Sequence, residues 1–295
     1  MDEFEEFAQQ VVTGASIGSI YAIVALAIVM IYRSTSVVNF AQGELAMFTT
    51  FISWSFIQSL DYFWASFALT ILVAFFLGGA LEVLVMRPVE QAPHLNSIVV
   101  TLGLLAVFNS LAFWRYGPVP RAFPKPEILS GDPITVGSVT ISQLNLGIIV
   151  IALLIMAALF GLFNYTKLGL AMRATAQNPV ASRLVGINVS RMLALGWALS
   201  AAVGAIGGML TAASLTLSVD MMVAILIFAF AGAVLGGLDS PAGAIVGGLG
   251  VGIIQALAGN YISSQVDIMA AFVIIIAVLM LRPTGLFGRR VVRRV

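Results

Sequence analysis

Residues 142–164 read SQLNLGIIVIALLIMAALFGLFN and contain no charged side chain. A helix needs roughly 20 apolar residues to cross a bilayer, whereas the strands of a membrane barrel are short and alternate in polarity. Similar apolar runs recur along the 295-residue chain, in which 60% of residues are hydrophobic and 9% are charged. The sequence therefore predicts an all-α, polytopic membrane protein.

Nine stretches have the length and composition of transmembrane or re-entrant helices. They cover, to within a few residues, positions 9–31, 38–60, 63–86, 95–115, 142–164, 191–214, 221–238, 241–259 and 268–282. The seventh and eighth are short and rich in glycine, so a re-entrant pair is an alternative there. All nine are predicted to form a single membrane domain over residues 1–295.

Basic residues predict the orientation, because lysine and arginine are concentrated in cytoplasmic loops. Eleven of the fourteen lie on one side of the predicted spans and three on the other. The eleven are Arg33, Arg87, Lys167, Arg173, Arg183, Arg191, Arg282, Arg289, Arg290, Arg293 and Arg294, and the three are Arg115, Arg121 and Lys125. We therefore expect the N-terminus outside and the C-terminus in the cytoplasm.

The composition argues against several classes of function. A net charge of +1 gives no general electrostatic reason to bind nucleic acid, and the lack of cysteine excludes disulfides and thiolate metal sites. His94 is the only histidine, and no GxxxxGK[ST] phosphate loop exists, since the only lysines are Lys125 and Lys167. We predict no catalytic residue, no metal ligand and no cofactor bound by this chain.

The longest outer segment, residues 117–141, contains five of the ten prolines. Gly137 and Ser138 lie between β-branched residues, which is typical of a two-residue hairpin turn. The segment is interpreted either as a stiff connector or as a small cap that docks an external partner.

The inner segment, residues 165–190, includes GLAMRATAQNPVASRLVGIN at 169–188. Asn178 precedes Pro179, so a first helix should end there. Asn is a favoured N-cap, Pro suits the first helical position and Gly186 suits a C-terminal stop, which together predict a helix over 179–185. Asn188 or Ser190 can cap the span that follows.

A helix as short as 179–185 is marginal in water and needs a surface to pack on. Val180, Leu184 and Val185 are available for that contact, and Ala181 leaves room for close approach. The whole segment, at about 25 residues, exceeds the usual connection of about 2 to 8 residues between bundle helices. It is interpreted either as an ordinary cytosolic turn or as an element that docks a partner.

Polar residues also enter the predicted second span. The stretch VVNFAQGEL places Asn39, Gln42, Gly43 and Glu44 where this helix begins. They either cap the helix, with Asn39 as N-cap and Gln42 at N3, or line a translocation pathway or inner gate, because ionisable groups inside a membrane usually face a cavity. Both interpretations stay open at this point.

Glu82 and Arg87 lie near the inner end of the third predicted span. A spacing of five residues is not a favoured helical pair, because helix neighbours are three or four residues apart. Glu82 is therefore interpreted as a carboxylate that extends to the inner interface, and no proton relay is predicted on it.

Glycines recur at four-residue spacing, for example at Gly14 and Gly18, which favours close helix packing. The stretch GGLDSPAGAIVGG also places a break between two short spans, as in helices broken around a transport site. The candidate residues at this break are Gly237, Asp239, Pro241 and Gly243.

Four ordered stretches resemble the high-affinity branched-chain amino acid ABC transporter permeases. They are VNFAQGELAM, GLAMRATAQNPVASRLVGIN, GGLDSPAGAIVGGLGVGIIQAL and the C-terminal LRPTGLFG, so the resemblance runs from about residue 10 to residue 288. It implies an all-α, multi-pass permease of the bacterial inner membrane, namely the smaller permease subunit of an ATP-driven importer for branched-chain or related amino acids.

The resemblance also implies the partners of this chain. These are a second, homologous permease subunit that forms a heterodimer with it, two cytosolic ATPases that bind ATP and Mg, a periplasmic substrate-binding protein and membrane lipid. The inner segment would engage the ATPases and transmit their closure. The coupling residues implied are Arg173, Asn178, Pro179, Ala181, Arg183, Leu184 and Gly186.

The main alternative is a secondary transporter or channel that works alone on a small neutral solute such as urea or a short amide. Its signature would be intramembrane carboxylates or paired broken helices, for which Glu44, Glu82 and Asp239 are weak candidates. That alternative does not explain the capped inner segment. The sequence alone does not name the substrate.

Overall fold

The computed structural model describes residues 3–35, 37–89, 92–137, 139–263 and 267–288. Within these ranges lie eleven α-helices and two short strands. The helices are α1 (Glu3–Thr35), α2 (Gln42–Leu60), α3 (Phe63–Leu81), α4 (His94–Tyr116), α5 (Gln143–Tyr165), α6 (Lys167–Gln177), α7 (Pro179–Leu184), α8 (Val189–Ser214), α9 (Met221–Gly236), α10 (Pro241–Tyr261) and α11 (Asp267–Leu281). The strands are β1 (Ile134–Val136) and β2 (Val139–Ile141).

A few residues used in the sequence argument lie outside this description. They are the side chain of His94, Ser138, Arg289, Arg290, Arg293 and Arg294. The orientation therefore remains a prediction from the sequence.

Each of the nine predicted transmembrane or re-entrant stretches contains a helix, and six of the described helical segments have the length and hydropathy of a membrane span. These six segments begin at Glu3, Phe63, Leu95, Gln143, Val189 and Pro241. The second predicted span begins four residues late, at Gln42, because residues 38–41 are not helical, and its polar first turn lowers its hydropathy. The apolar helices Met221–Gly236 and Met269–Leu281 are too short. A backbone in lipid must satisfy its own hydrogen bonds, which explains why helices dominate.

The outer segment contains the predicted hairpin. β1 and β2 are antiparallel with Val136 opposite Val139, and Gly137 has the positive φ of 65° that this tight turn requires. The side chain of Gln9 extends the small sheet, because its Nε2 donates to the Thr140 carbonyl at 2.9 Å and its Oε1 accepts from the Thr140 N–H at 2.8 Å. The hairpin is thus tied to the first turns of α1.

The chain divides into two compact units. The first comprises residues 1–29, 128–152 and 224–295, and glycines bring its helices together. A Cβ at Gly252 would overlap Gly18, and one at Gly247 would overlap the Gly232 carbonyl. These contacts confirm that the four-residue glycine spacing supports close packing of α10 against α1 and α9.

The second unit comprises residues 30–127 and 153–223, and α8 lies at its centre beside α2 and α3. Trp197 of α8 is 1% exposed, and a Cβ at Gly78 of α3 would lie 2.6 Å from its carbonyl oxygen. The apolar core around this tryptophan consists of Ile31, Ala41, Leu45, Met86, Leu104, Phe108, Trp197 and Ala201. Small residues let the backbones approach closely enough for these side chains to interdigitate.

Large apolar side chains are exposed on several helices. Along α4, for example, Leu95, Val99 and Trp114 are mostly exposed. A water-soluble protein seldom exposes so continuous an apolar face, whereas lipid tails solvate it well. The exposed faces and the six long helices are those of a multi-pass membrane protein.

Candidate functional site

The inner segment folds back on the end of α5 before it turns. Thr166 is the N-cap of α6, and its Oγ1 accepts from the Gly169 N–H at 3.0 Å. A Cβ at Gly169 would overlap the Leu162 carbonyl, so only glycine permits this close approach. α6 then runs to Gln177 and packs against α8.

The predicted short helix is present, and its own residues cap both ends. Asn178 Oδ1 accepts from the Ala181 N–H at 2.9 Å, and Pro179 occupies the first turn. At the other end Gly186 has a φ of 83°, its N–H donates to the Arg183 carbonyl, and the Ile187 N–H donates to the Ser182 carbonyl. This pair of bonds is a Schellman motif, so α7 ends at Leu184, one residue before the predicted end.

α7 presents an apolar surface that no described residue covers. Val180, Leu184 and Val185 are 67%, 84% and 76% exposed, although Ser182 on the opposite face is buried. The segment continues directly into α8, where Asn188 Oδ1 accepts from the Arg191 N–H at 3.0 Å. Asn188, rather than Ser190, is therefore the N-cap of α8.

The two arginines of the predicted coupling set differ in their surroundings. Arg183 on α7 is exposed, whereas Arg173 on α6 is partly buried. The Nε of Arg173 is buried and has no hydrogen-bond partner among the described residues. Arg183 is therefore available to a carboxylate of another protein, while Arg173 is partly enclosed by its own loop.

A second cluster of polar side chains lies where α2 meets α8. Gln42 Nε2 donates to the Ser200 carbonyl at 3.2 Å, and the Ser200 hydroxyl donates to Gln42 Oε1 at 3.2 Å. Asn39 Nδ2 donates to the same Gln42 oxygen at 3.4 Å, and Asn39 Oδ1 accepts from the Ala41 N–H. All of these side chains are buried. The capping interpretation is wrong, because Ala41 is the N-cap of α2 and makes no side-chain cap bond.

Glu44 lies in the same first turn of α2 as Gln42 and is 6% exposed. Its Oε2 accepts from Asn109 Nδ2 of α4 at 3.2 Å, and the same amide donates to the Val219 carbonyl at 3.2 Å. Gly43, between these two groups of residues, is also buried. The first turn of α2 thus carries bonds to α8 on one side and to α4 on the other.

The predicted break between α9 and α10 is a capped turn between two closely packed helices. Gly237 has a φ of 107°, and Ser240 caps α10 by accepting from the Gly243 N–H at 3.0 Å. The C-terminal segment 282–288 closes the end of α9, because its Leu286 and Phe287 N–H groups donate to the last carbonyls of that helix, each at 2.9 Å. Pro241 is the first residue of α10, and Asp239 is exposed in the turn.

Glu82 does not extend to the interface as expected. Its carboxylate is buried, and Arg87 Nη2 donates to Glu82 Oε2 at 2.9 Å. The reason is local, since residues 82–86 form a π-helical turn. Such a turn bonds each residue to the one five positions away, which brings positions 82 and 87 together.

Comparison with known proteins places this architecture in a family. The family model described as the permease component of the branched-chain amino acid transport system matches residues 10–281. The chain belongs to this permease family. It is 31% identical to the high-affinity branched-chain amino acid transport system permease protein LivH of Escherichia coli K12, across 100% of this chain and 99% of that protein.

Other relatives carry the same description. LivH of Salmonella typhimurium is 30% identical across 100% of this chain and 99% of its own length. The permease protein BraD of Pseudomonas aeruginosa is 30% identical across 100% of both chains. No solved structure matches the permease.

The fold of the permease places the predicted site residues in separate groups. The coupling residues share one loop, and Asn39, Gln42 and Glu44 share one end of α2. Sequence reasoning missed Asn109 and Ser200, whose only signal was a polar side chain within an apolar run. Across the described residues, no group of three or more acidic or histidine side chains is placed to hold a metal ion.

Proposed function

We propose that this chain is the transmembrane permease subunit of an ATP-driven importer for branched-chain or related small amino acids in a bacterial inner membrane. The family assignment supports the class. The partners would be a second, homologous permease subunit, two cytosolic ATPases that bind ATP and Mg, and a periplasmic substrate-binding protein.

The observation that carries the proposal is the exposed surface of α7. This helix has six residues, too few to be stable by itself in water, yet Val180 and Leu184 on it and the C-cap residue Val185 are at least two-thirds exposed. They lie in a loop that also carries Lys167, Arg173 and Arg183, which does not suit the lipid interior. A protein partner that buries Val180, Leu184 and Val185 satisfies both facts, and an ATPase subunit is the partner that the family's transport class requires.

The contacts of α8 suggest how movement of α7 would reach the membrane. α7 is joined to α8 by the Schellman turn and the Asn188 cap, both of which keep the connection short and stiff. α8 in turn holds Gln42 through Ser200, and Glu44 lies two residues further along α2. ATPase closure would therefore shift α8 against α2 and open or close a pathway at Asn39, Gln42, Gly43 and Glu44.

The substrate would be selected mainly by the external binding protein. The described spans offer few charged groups for direct recognition of a cargo, and Glu44 is buried among protein partners. The break at Gly237, Asp239, Pro241 and Gly243, within the first compact unit, is a separate candidate for a broken-helix transport site.

The test is uptake and ATP turnover in vesicles that contain the complete importer. Leu184→Asp should remove roughly 2 kcal/mol of apolar contact, so that the ATPases bind about thirtyfold more weakly. Ala181→Trp, which blocks close approach, and Gly186→Val, which cannot adopt the left-handed C-cap, should uncouple hydrolysis from uptake. Gly186→Asn is the matched control, because asparagine tolerates that conformation, and it should keep coupling.

The same assay separates the importer from the alternative of a transporter that works alone. Coupled uptake that stays at the wild-type level in Leu184→Asp, Ala181→Trp and Gly186→Val would contradict the docking role of α7. Substrate uptake by the chain in the absence of ATPases and ATP would contradict the importer itself and favour a secondary transporter or channel.

A further inference from the structure

A groove runs between α3 and α8 in the second unit, and its lining includes no residue of α7 or α2. Its volume is about 600 Å³. Side chains of the α3 segment and of α8 form its two walls, and those that matter here are Phe76, Ala80, Leu84, Arg191, Ala194 and Leu195. We call this feature the α3–α8 groove.

Small residues give the α3–α8 groove its depth. Gly79 lines it, and a Cβ there would make only ordinary contacts, at 3.6 Å from the Ala198 Cβ. Ala80 and Ala194 are small as well, while Phe76 and Leu84 extend beyond them. Residues 76 and 84 are eight positions apart on a helical segment, so the apolar wall is about 12 Å long.

One end of the α3–α8 groove is positively charged. Arg191 is the only charged residue that lines it, and this residue lies in the first turn of α8. Among the described residues, no carboxylate lies within ion-pair distance of its guanidinium. The amide end of the α8 helix dipole adds positive potential at the same place. A complementary ligand is therefore apolar along most of its length and anionic at one end.

We propose that the α3–α8 groove binds an anionic phospholipid, with an acyl chain along Phe76 and Ala80 and the phosphate on Arg191. Both walls belong to helices long and apolar enough to cross the membrane, so lipid can reach the groove from the side. An arginine near the end of a span places its guanidinium at the level of the lipid phosphates. Arginine also binds phosphate with two parallel hydrogen bonds.

The test is native mass spectrometry of the delipidated, full-length chain with one lipid at a time. Palmitoyl-oleoyl phosphatidylglycerol should bind about fivefold more tightly than the phosphatidylcholine with the same acyl chains, the contribution expected of one basic residue at an anionic lipid surface. Arg191→Gln should abolish this preference, and Arg191→Lys should restore most of it. Arg115→Gln, at an exposed arginine on α4, is the control and should leave the preference unchanged.

Filling the groove should have a different effect from removing its charge. Ala80 is exposed, so Ala80→Leu occupies the groove without disturbing the core and should weaken both lipids. Ala106→Leu, at an exposed alanine on α4, should weaken neither. Retained preference in Arg191→Gln, or equal binding of the two lipids by the unmodified chain, would overturn the proposal.

The competing occupant is a protein chain, and the absence of native cysteine makes it testable. Ala80→Cys, labelled at its thiol with a maleimide that carries a benzophenone, should photo-cross-link to phospholipid in membranes that contain the assembled importer. A cross-link from that position to another protein subunit, in place of lipid, would show that the groove is a subunit interface and would contradict the proposal that it binds lipid.

Discussion

Asn178 serves two helices at once, as the C-cap of α6 and the N-cap of α7. Its role depends on Pro179, because the residue before a proline is disfavoured in helical backbone geometry. Pro179 itself has no backbone N–H, so the first turn of α7 has one donor fewer to satisfy. Gly186 ends α7 by adopting a conformation that costs other residues about 1–2 kcal/mol. Three residues therefore set the bounds of the helix whose exposed side chains support the proposed function.

The ion pair of Glu82 and Arg87 makes a prediction about single residues. Arg87→Met would deprive a buried carboxylate of its cation and should destabilise the protein by about 1–3 kcal/mol, less than for a fully buried pair because the arginine side chain is 40% exposed. Adding Glu82→Gln to that variant should recover part of the loss. The measurement is the thermal unfolding midpoint in detergent.

The control for this pair is Arg183→Met, which removes an exposed arginine and should not change the midpoint. Equal destabilisation by Arg87→Met and by the double variant would show that the loss comes from packing of the arginine stem, and that the ion pair contributes nothing.

At the scale of elements, α2 and α8 are held together by small residues as well as by the polar bonds of Gln42. A Cβ at Gly208 would lie 2.5 Å from Thr50 Oγ1 and 2.7 Å from the Ala46 carbonyl oxygen. The backbone of α2 cannot retreat without breaking the bonds that Gln42 makes to Ser200. Close packing against α2 therefore requires glycine at position 208, although alanine would stabilise α8 itself more.

Gly208→Ala should therefore destabilise the permease by about 1–3 kcal/mol through overpacking. The matched control is Gly103→Ala on α4, where a Cβ would meet nothing within 4 Å. That substitution should be neutral or should stabilise by up to about 1 kcal/mol, since alanine is the better helix former. Thermal unfolding of the two variants in the same detergent gives the comparison, and a lower midpoint for Gly103→Ala than for Gly208→Ala would contradict it.

At the scale of the whole molecule, the distribution of arginine and lysine predicts which loops face the cytoplasm. A single-cysteine variant can test this directly, because the natural chain has no cysteine. Asp132→Cys, in the exposed outer segment, should react with a membrane-impermeant maleimide in intact spheroplasts. Ala181→Cys, exposed on α7, should react only after the membrane is permeabilised. The reverse pattern would invert the topology and remove α7 from the reach of a cytosolic ATPase.

The sequence by itself determined the features that depend on local chemistry. Apolar runs predict the helices because a membrane-spanning backbone must satisfy its own hydrogen bonds. The caps of α7 and the hairpin at residues 134–141 follow from the conformational preferences of Asn, Pro and Gly, which act over a few residues.

Only the tertiary structure decided the contacts between distant segments. Capping of its own helix was one of two interpretations of Gln42, whose side chain bonds instead to Ser200, a residue 158 positions away. Glu82 meets Arg87 because a π-helical turn changes the local spacing, which no helical periodicity predicts. These outcomes depend on which partners the fold brings within hydrogen-bond distance, and a polar side chain in the sequence does not specify its partner.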